Sequence, residues 1–405
     1  MSDGLLCIGG RTPVAASVSP AILASGFRPF FVLAAAVAAT SILLWLLLLK
    51  GAFVVDSGFG IIDLHAHEML FGFTGAVIAG FLLTAIKNWT GQAPASPTML
   101  AALVALFVVG RLAVVVEAAT GVHGLSWLEA LFLPVFAIVI ARPIVGTNNR
   151  RNFGVVAIVA LFAALDLAMH LAAWTNSPQL GVAARTGALL VPCVLLAVVG
   201  GRVIPLFTRN VVASADVVVR AVSIVDGLAI GGAVAAAAVS VAAPVSATVA
   251  MVAPAVLMLA GVLTVARMWG WASLATARTP LLWILHVGHF LLGVGFFARG
   301  VSLVLPSLIT PSAALHILSI GALAVLCLAM MSCVALGHSG RPLVITSATV
   351  VSYGCILVAV VARVAASWLP ALLDVAGVAF ALAFVIFFAG YARILATPRP
   401  DGKAG

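Results

Sequence analysis

Charge is what this sequence has least of. Only 8% of its 405 residues are Asp, Glu, Lys or Arg, and the acids number 11 against 20 bases. A soluble domain carries roughly 25% charged residues, so this chain lacks the polar surface to cover itself in water. Disorder and a solvent-exposed coiled coil fail on the same ground. Cysteine is also scarce. Cys7, Cys193, Cys327, Cys333 and Cys355 form no C-x-x-C pair and no even framework, which excludes a disulfide-stapled module and a structural zinc site. The net charge of +9 would point to nucleic acid in a soluble protein. Here the Lys and Arg sit in short gaps between apolar runs, as in membrane proteins, and no nucleic-acid partner is expected.

What the chain does have is apolar sequence, at 64% of its residues. A helix needs about 20 apolar residues to cross a hydrocarbon core of ~30 Å. Twelve stretches qualify: 29–49, 65–86, 99–119, 126–142, 153–174, 187–207, 218–242, 246–267, 280–301, 312–336, 342–364 and 371–395. In lipid the backbone must satisfy its own hydrogen bonds, so these read as helices rather than strands. The boundary around Pro244 and Pro254 is the least defined. Residues 1–26 do not read as a signal peptide, because Pro13 and Pro20 interrupt the apolar stretch. The expected fold class is therefore all-α: a polytopic integral membrane protein with a tail at 1–28, one transmembrane domain at 29–395 and a tail at 396–405. Basic residues set its orientation. With a cytoplasmic N-terminus, fourteen Lys and Arg fall inside and four outside (Lys50, Arg185, Arg299 and Arg363), so both termini are expected in the cytoplasm.

A membrane helix that keeps a charge or an imidazole usually uses it. Five of the eight histidines (His65, His67, His123, His170 and His316) crowd toward the outer face. The densest run is His65-Ala66-His67-Glu68-Met69-Leu70-Phe71-Gly72-Phe73. On a regular helix i and i+2 differ by ~200°, so His65 and His67 face opposite ways, while His65 and Met69 share a face. In extended chain the two rings point the same way instead. Either geometry suits metal chemistry. Imidazole with thioether favours copper or haem iron over magnesium or calcium, and Glu68 can orient a ligand through its ring N–H. Gly72, Gly75 and Gly80 allow close approach of another helix or a flat macrocycle. Further along, His286 and His289 share a helix face at i, i+3 and can reach one centre. Interfacial capping and helix-to-helix hydrogen bonding are the plainer roles for the same residues.

Two charges fall mid-helix, Arg111 and Asp166, each roughly 18–20 Å from the cytoplasmic end at ~1.5 Å per residue. They read as an ion pair or as part of a proton path. Glu117 lies near the outer end of its helix, at a depth where it can join the histidines. At the inner end of the sixth stretch, Gly200-Gly201-Arg202-Val203-Ile204-Pro205 carries a helix-kinking proline. Arg202 and Arg209 offer forked donors suited to carboxylates such as haem propionates, or to anionic lipid.

Together these runs resemble the NnrS family, haem- and copper-containing membrane proteins linked to nitric oxide metabolism in denitrifying and nitrosatively stressed bacteria. The matching pieces are Ser25-Gly26-Phe27-Arg28-Pro29-Phe30-Phe31, the His65–Phe73 run with the helix from Gly75 to Trp89, Gly201-Arg202-Val203-Ile204-Pro205, Leu282-Trp283-Ile284-Leu285-His286, and His316 through Gly337-His338-Ser339-Gly340-Arg341-Pro342. The resemblance implies twelve helices, haem b, copper, a bacterial inner membrane and a role in resisting nitric oxide. Partners would be membrane lipid, nitric oxide or a related small molecule, and an unidentified electron donor. Taken with the physical reading, the candidate cofactor residues are His65, His67, His286, His316, Arg202 and Arg209. The candidate metal ligands are His65, His67, Met69, His170, His286, His289 and His316. Glu68, Arg111, Glu117 and Asp166 are candidates for supporting these ligands or for a proton path. Two other functions compete. A nitric oxide reductase resembling the haem–copper oxidases would also have twelve helices but would carry an adjacent His-His pair, which this chain lacks. A proton-coupled transporter of a metal or haem would use the buried Arg111 and Asp166.

Overall fold

A computed structural model describes residues 20–212, 219–220 and 222–402. Cys7, Arg11, Lys403 and the start of the expected 218–242 stretch lie outside the described residues. Among those described, twelve helices are long and apolar enough to cross a membrane: α1 Phe27–Leu49, α2 Ile61–Thr90, α3 Pro97–Thr120, α4 Leu125–Gly146, α5 Arg150–Trp174, α6 Pro178–Val211, α7 Ser223–Val245, α8 Ala247–Gly270, α9 Pro280–Val304, α10 Pro311–His338, α11 Ser347–Ala365 and α12 Leu372–Ala396. The protein is thus an all-helical, multi-pass membrane protein. The uncertain boundary at Pro244 is settled by a 3-10 turn, Ala243–Val245, after which the Ser246 hydroxyl accepts from the Val249 amide and starts α8. The same device opens other helices: Ser96 accepts from the amide of Met99 and Thr310 from that of Ala313, each followed by a proline at the first helical position, where no amide hydrogen is needed. Pro192 and Pro205 are carried inside α6, which continues to Val211.

Consecutive helices pack against one another along most of the chain, and α1 packs on α12 to close the bundle. The start of α1 and the end of α12 meet there. Arg28 at the start of α1 is fully buried and donates to the carbonyls of Leu395 and Thr397 at 2.9 and 2.7 Å.

Helices α2 and α10 form the interior. Their most apolar windows are 83% buried, against 28% for α1, α7 and α8. These two also share an irregularity. In α2 the chain widens into a π-helical stretch over Glu68–Thr74, directly after His67. In α10 it does so over Ile317–Ala324, directly after His316. The wider turn leaves backbone groups misaligned; in α2 the Thr74 hydroxyl donates to the Met69 carbonyl at 3.0 Å. Such insertions concentrate where a helix must aim particular side chains. The four described cysteines, Cys193, Cys327, Cys333 and Cys355, are free thiols, as their spacing implies.

Candidate functional site

The first turns of α2 aim two histidines at two different places. His65 faces an apolar cavity of about 330 Å³ between α1, α2, α6, α10, α11 and α12. His67 points the other way, into a group of charged side chains from α3, α4 and α5. The helical reading of the run therefore holds, and the extended one does not.

The cavity is the size of a small-molecule site. Its walls hold Trp45, Met69, Phe73 and Phe380, with His65 and Met69 one turn apart on the same face. The His65 ring lies flat against Trp45, with centroids 4.5 Å apart and planes inclined by 20°, and its buried Nδ1 has no hydrogen-bond partner. His316 reaches the same cavity from α10. Its Nδ1 lies 2.7 Å from the Ser312 carbonyl. A carbonyl only accepts, so Nδ1 carries the hydrogen and Nε2 keeps its lone pair. Two guanidiniums also line the cavity, those of Arg185 and Arg363. Arg185 pairs with Asp63, and Arg363 donates to Ser312 Oγ at 2.7 Å. The sequence reading placed these two arginines outside but gave them no part in a site.

The second group is ionic and buried. His67, Glu129, Asp166 and His170 are each at most 2% exposed. One ligand-type atom from each lies within 4.8 Å of every other, an arrangement able to hold a metal ion. His67 Nε2 is 3.1 Å from Glu129 Oε2 and 3.2 Å from Asp166 Oδ1. His170 Nε2 is 3.4 and 3.9 Å from the same two oxygens. Glu68 lies 3.2 Å from His67 Nδ1 and accepts from Arg111 Nη1 at 2.8 Å. Arg111 also pairs with Glu129 through Nη2. Phe59 and Phe71 pack against the His67 ring, which closes the group to water.

Two glycines make this crowding sterically feasible. A Cβ at Gly72 would sit 3.0 Å from Arg111 Nη1 and 3.3 Å from Glu68 Oε2. A Cβ at Gly110 would sit 2.7 Å from the Glu129 Cα.

Several expectations are corrected here. Arg111 does not pair with Asp166: Glu68 and Glu129 take the guanidinium, and Asp166 faces the imidazoles instead. Glu117 does not join the histidines. Its carboxylate accepts from the amides of Gly58, Gly124 and Ser126 at 3.3, 3.0 and 2.8 Å and so ties the loop before α2 to the loop between α3 and α4. His286 and His289 share a helix face but not a centre. The nitrogens of His286 are held by the hydroxyls of Thr208 and Ser273, each at 2.9 Å. His289 packs on the Trp271 ring at 4.7 Å, with neither nitrogen partnered. Arg202 and Arg209 are exposed and line neither place. Glu129 is the residue that sequence reasoning missed. It lies inside the apolar 126–142 stretch, and an acid in such a stretch is the same signal that singled out Asp166.

No curated protein matches the chain. A family description does: the NnrS protein family matches residues 21–399, and the chain therefore belongs to the NnrS family.

Proposed function

We propose that the protein binds haem b and copper in a bacterial inner membrane and acts in nitric oxide metabolism and resistance to nitrosative stress. The observation that carries this reading is the cavity. Two imidazoles, His65 and His316, come from the two most buried helices and face one apolar space. The residues present fit a haem. The hydrogen bond from His316 Nδ1 to Ser312 fixes the ring in the tautomer that leaves Nε2 to ligate. His65 Nδ1 is buried without a partner. Trp45, Phe73 and Phe380 offer flat apolar walls, and Arg185 and Arg363 offer charge for carboxylates. Copper belongs to the same reading: Met69, one turn from His65, is the soft thioether donor that suits its reduced state.

Haem iron, were it held by His65 or His316, would supply redox chemistry and binding of a small diatomic molecule. The chain's own residues do the rest. The apolar walls favour a small uncharged molecule that partitions from lipid, and the arginines anchor anionic groups at the cavity wall. His65 and His316 hold their orientation through Trp45 stacking and the Ser312 carbonyl, respectively.

The test is optical. The protein purified in detergent should show a Soret band that shifts when nitric oxide is added, and His316→Ala should lose most of that absorbance. A wild-type protein with neither a Soret band nor bound copper would end this reading.

A further inference from the structure

We propose that His67, Glu129, Asp166 and His170 form a second metal centre, one that takes a single transition-metal dication and is separate from the cavity. This goes beyond the haem reading and stands whether or not haem occupies the cavity.

Four observations carry it. The first is geometric. In a tetrahedral site with bonds of about 2.0–2.1 Å, ligand atoms sit about 3.3 Å apart. The four imidazole-to-carboxylate separations here are 3.1, 3.2, 3.4 and 3.9 Å. Two nitrogens and two oxygens already form most of the edges of such a tetrahedron. The residues come from α2, from the start of α4 and from one face of α5, where Asp166 and His170 are a turn apart, so three helices fix the set.

The second is an unmet polar demand. Asp166 is wholly buried and its Oδ2 has no hydrogen-bond partner. Both imidazole Nε2 atoms compete for the same two carboxylate oxygens. One N–H cannot serve two acceptors well, whereas a cation at the centre takes Glu129 Oε2, Asp166 Oδ1 and both Nε2 lone pairs together.

The third is charge. Glu68, Glu129 and Asp166 bring three negative charges and Arg111 one positive charge. With neutral imidazoles the group is short of two positive charges, in a place where unpaired charge is costly. A dication closes that difference; a monovalent ion or a trication does not.

The fourth is support around the ligands. Glu68 lies on His67 Nδ1, the carboxylate–histidine–metal arrangement that leaves Nε2 free to ligate. The opposite oxygen of Glu129 is held by Arg111. The donor set has no thiolate or thioether, which excludes the preference for cuprous ion. Its two imidazoles exclude a preference for magnesium or calcium. What remains is ferrous iron, zinc, manganese or cupric copper.

The experiment uses the full chain in detergent. Metal content is read by mass spectrometry after dialysis against Zn²⁺, Mn²⁺, Cu²⁺ or, anaerobically, Fe²⁺. For one of these ions the wild type should retain one equivalent per chain, beyond any haem iron, that Asp166→Asn and His170→Gln do not retain. Glu68→Gln should weaken its retention about 10–100-fold. The Soret band, where present, should persist in all three variants, so failure of the haem reading and failure of this one are told apart. Should the variants fail to fold, the wild type decides alone: chelator-stripped protein should melt higher when the ion is restored. Equal metal content in wild type and variants, or no rise in melting temperature with any of the four ions, overturns the proposal.

Discussion

His65 and His67 are separated by one residue and live in different chemical worlds. His65 looks across an oily cavity at His316, with an indole behind it and almost no charge nearby except two guanidiniums on the wall. His67 looks into three carboxylates, two of them bridged by Arg111, and a second imidazole. The helix makes the division, because a step of two residues turns a side chain by ~200°. Within the π-helical stretch that starts at Glu68, Met69 lies on the cavity side with His65 while Glu68 reaches Arg111. One turn of helix thus serves two sites with opposite dielectric character. The cavity is suited to a flat, largely apolar ligand, and the ionic group to a compact cation.

The division can be broken from either side. The largest effect is expected at Arg111. Replacing it by Met leaves Glu68 and Glu129 buried without their counter-charge, which should cost about 3–5 kcal/mol of stability, read as an early loss of structure on heating in detergent. The next is Gly110→Ala. The new Cβ would meet the Glu129 Cα at 2.7 Å, and overpacking of this kind costs roughly 1–3 kcal/mol. It should disturb the ionic side while leaving absorbance from the cavity in place. The smallest is Thr310→Ala, which removes the cap of α10 just before His316. It should lower stability by about 1 kcal/mol and affect the cavity side alone. Were Gly110→Ala and Thr310→Ala to disturb both sites equally, the two would have to be treated as one.

The division was partly legible in the sequence. Twelve spans follow from apolar length, and the opposite facing of His65 and His67 follows from helical period. The pairing of His65 with Met69 on one face follows from the same period. What could not be read is which helices meet. Arg111 and Asp166 sit at similar depth, and depth alone pairs them. Only the packing of α4 beside α3 shows that Glu129 comes between Arg111 and the imidazoles. Glu117 looked like a neighbour of the histidines by depth for the same reason, yet its carboxylate is used up by three loop amides. His286 and His289 carried the right spacing for a shared ligand, but spacing does not show that Thr208 and Ser273 already occupy the first ring. The π-helical stretches left no mark in the apolar pattern, because α2 and α10 are buried and apolar on nearly every side, so a change of register moves no polar face.

The most direct measurement compares His65→Ala with His67→Ala in one preparation series, recording the optical spectrum and the non-haem metal content of each. His65→Ala should lose the Soret band and keep its dication, and His67→Ala should keep the Soret band and lose its dication. If both substitutions removed the same component, the two histidines would serve one centre, and the separation argued from the helix would be wrong.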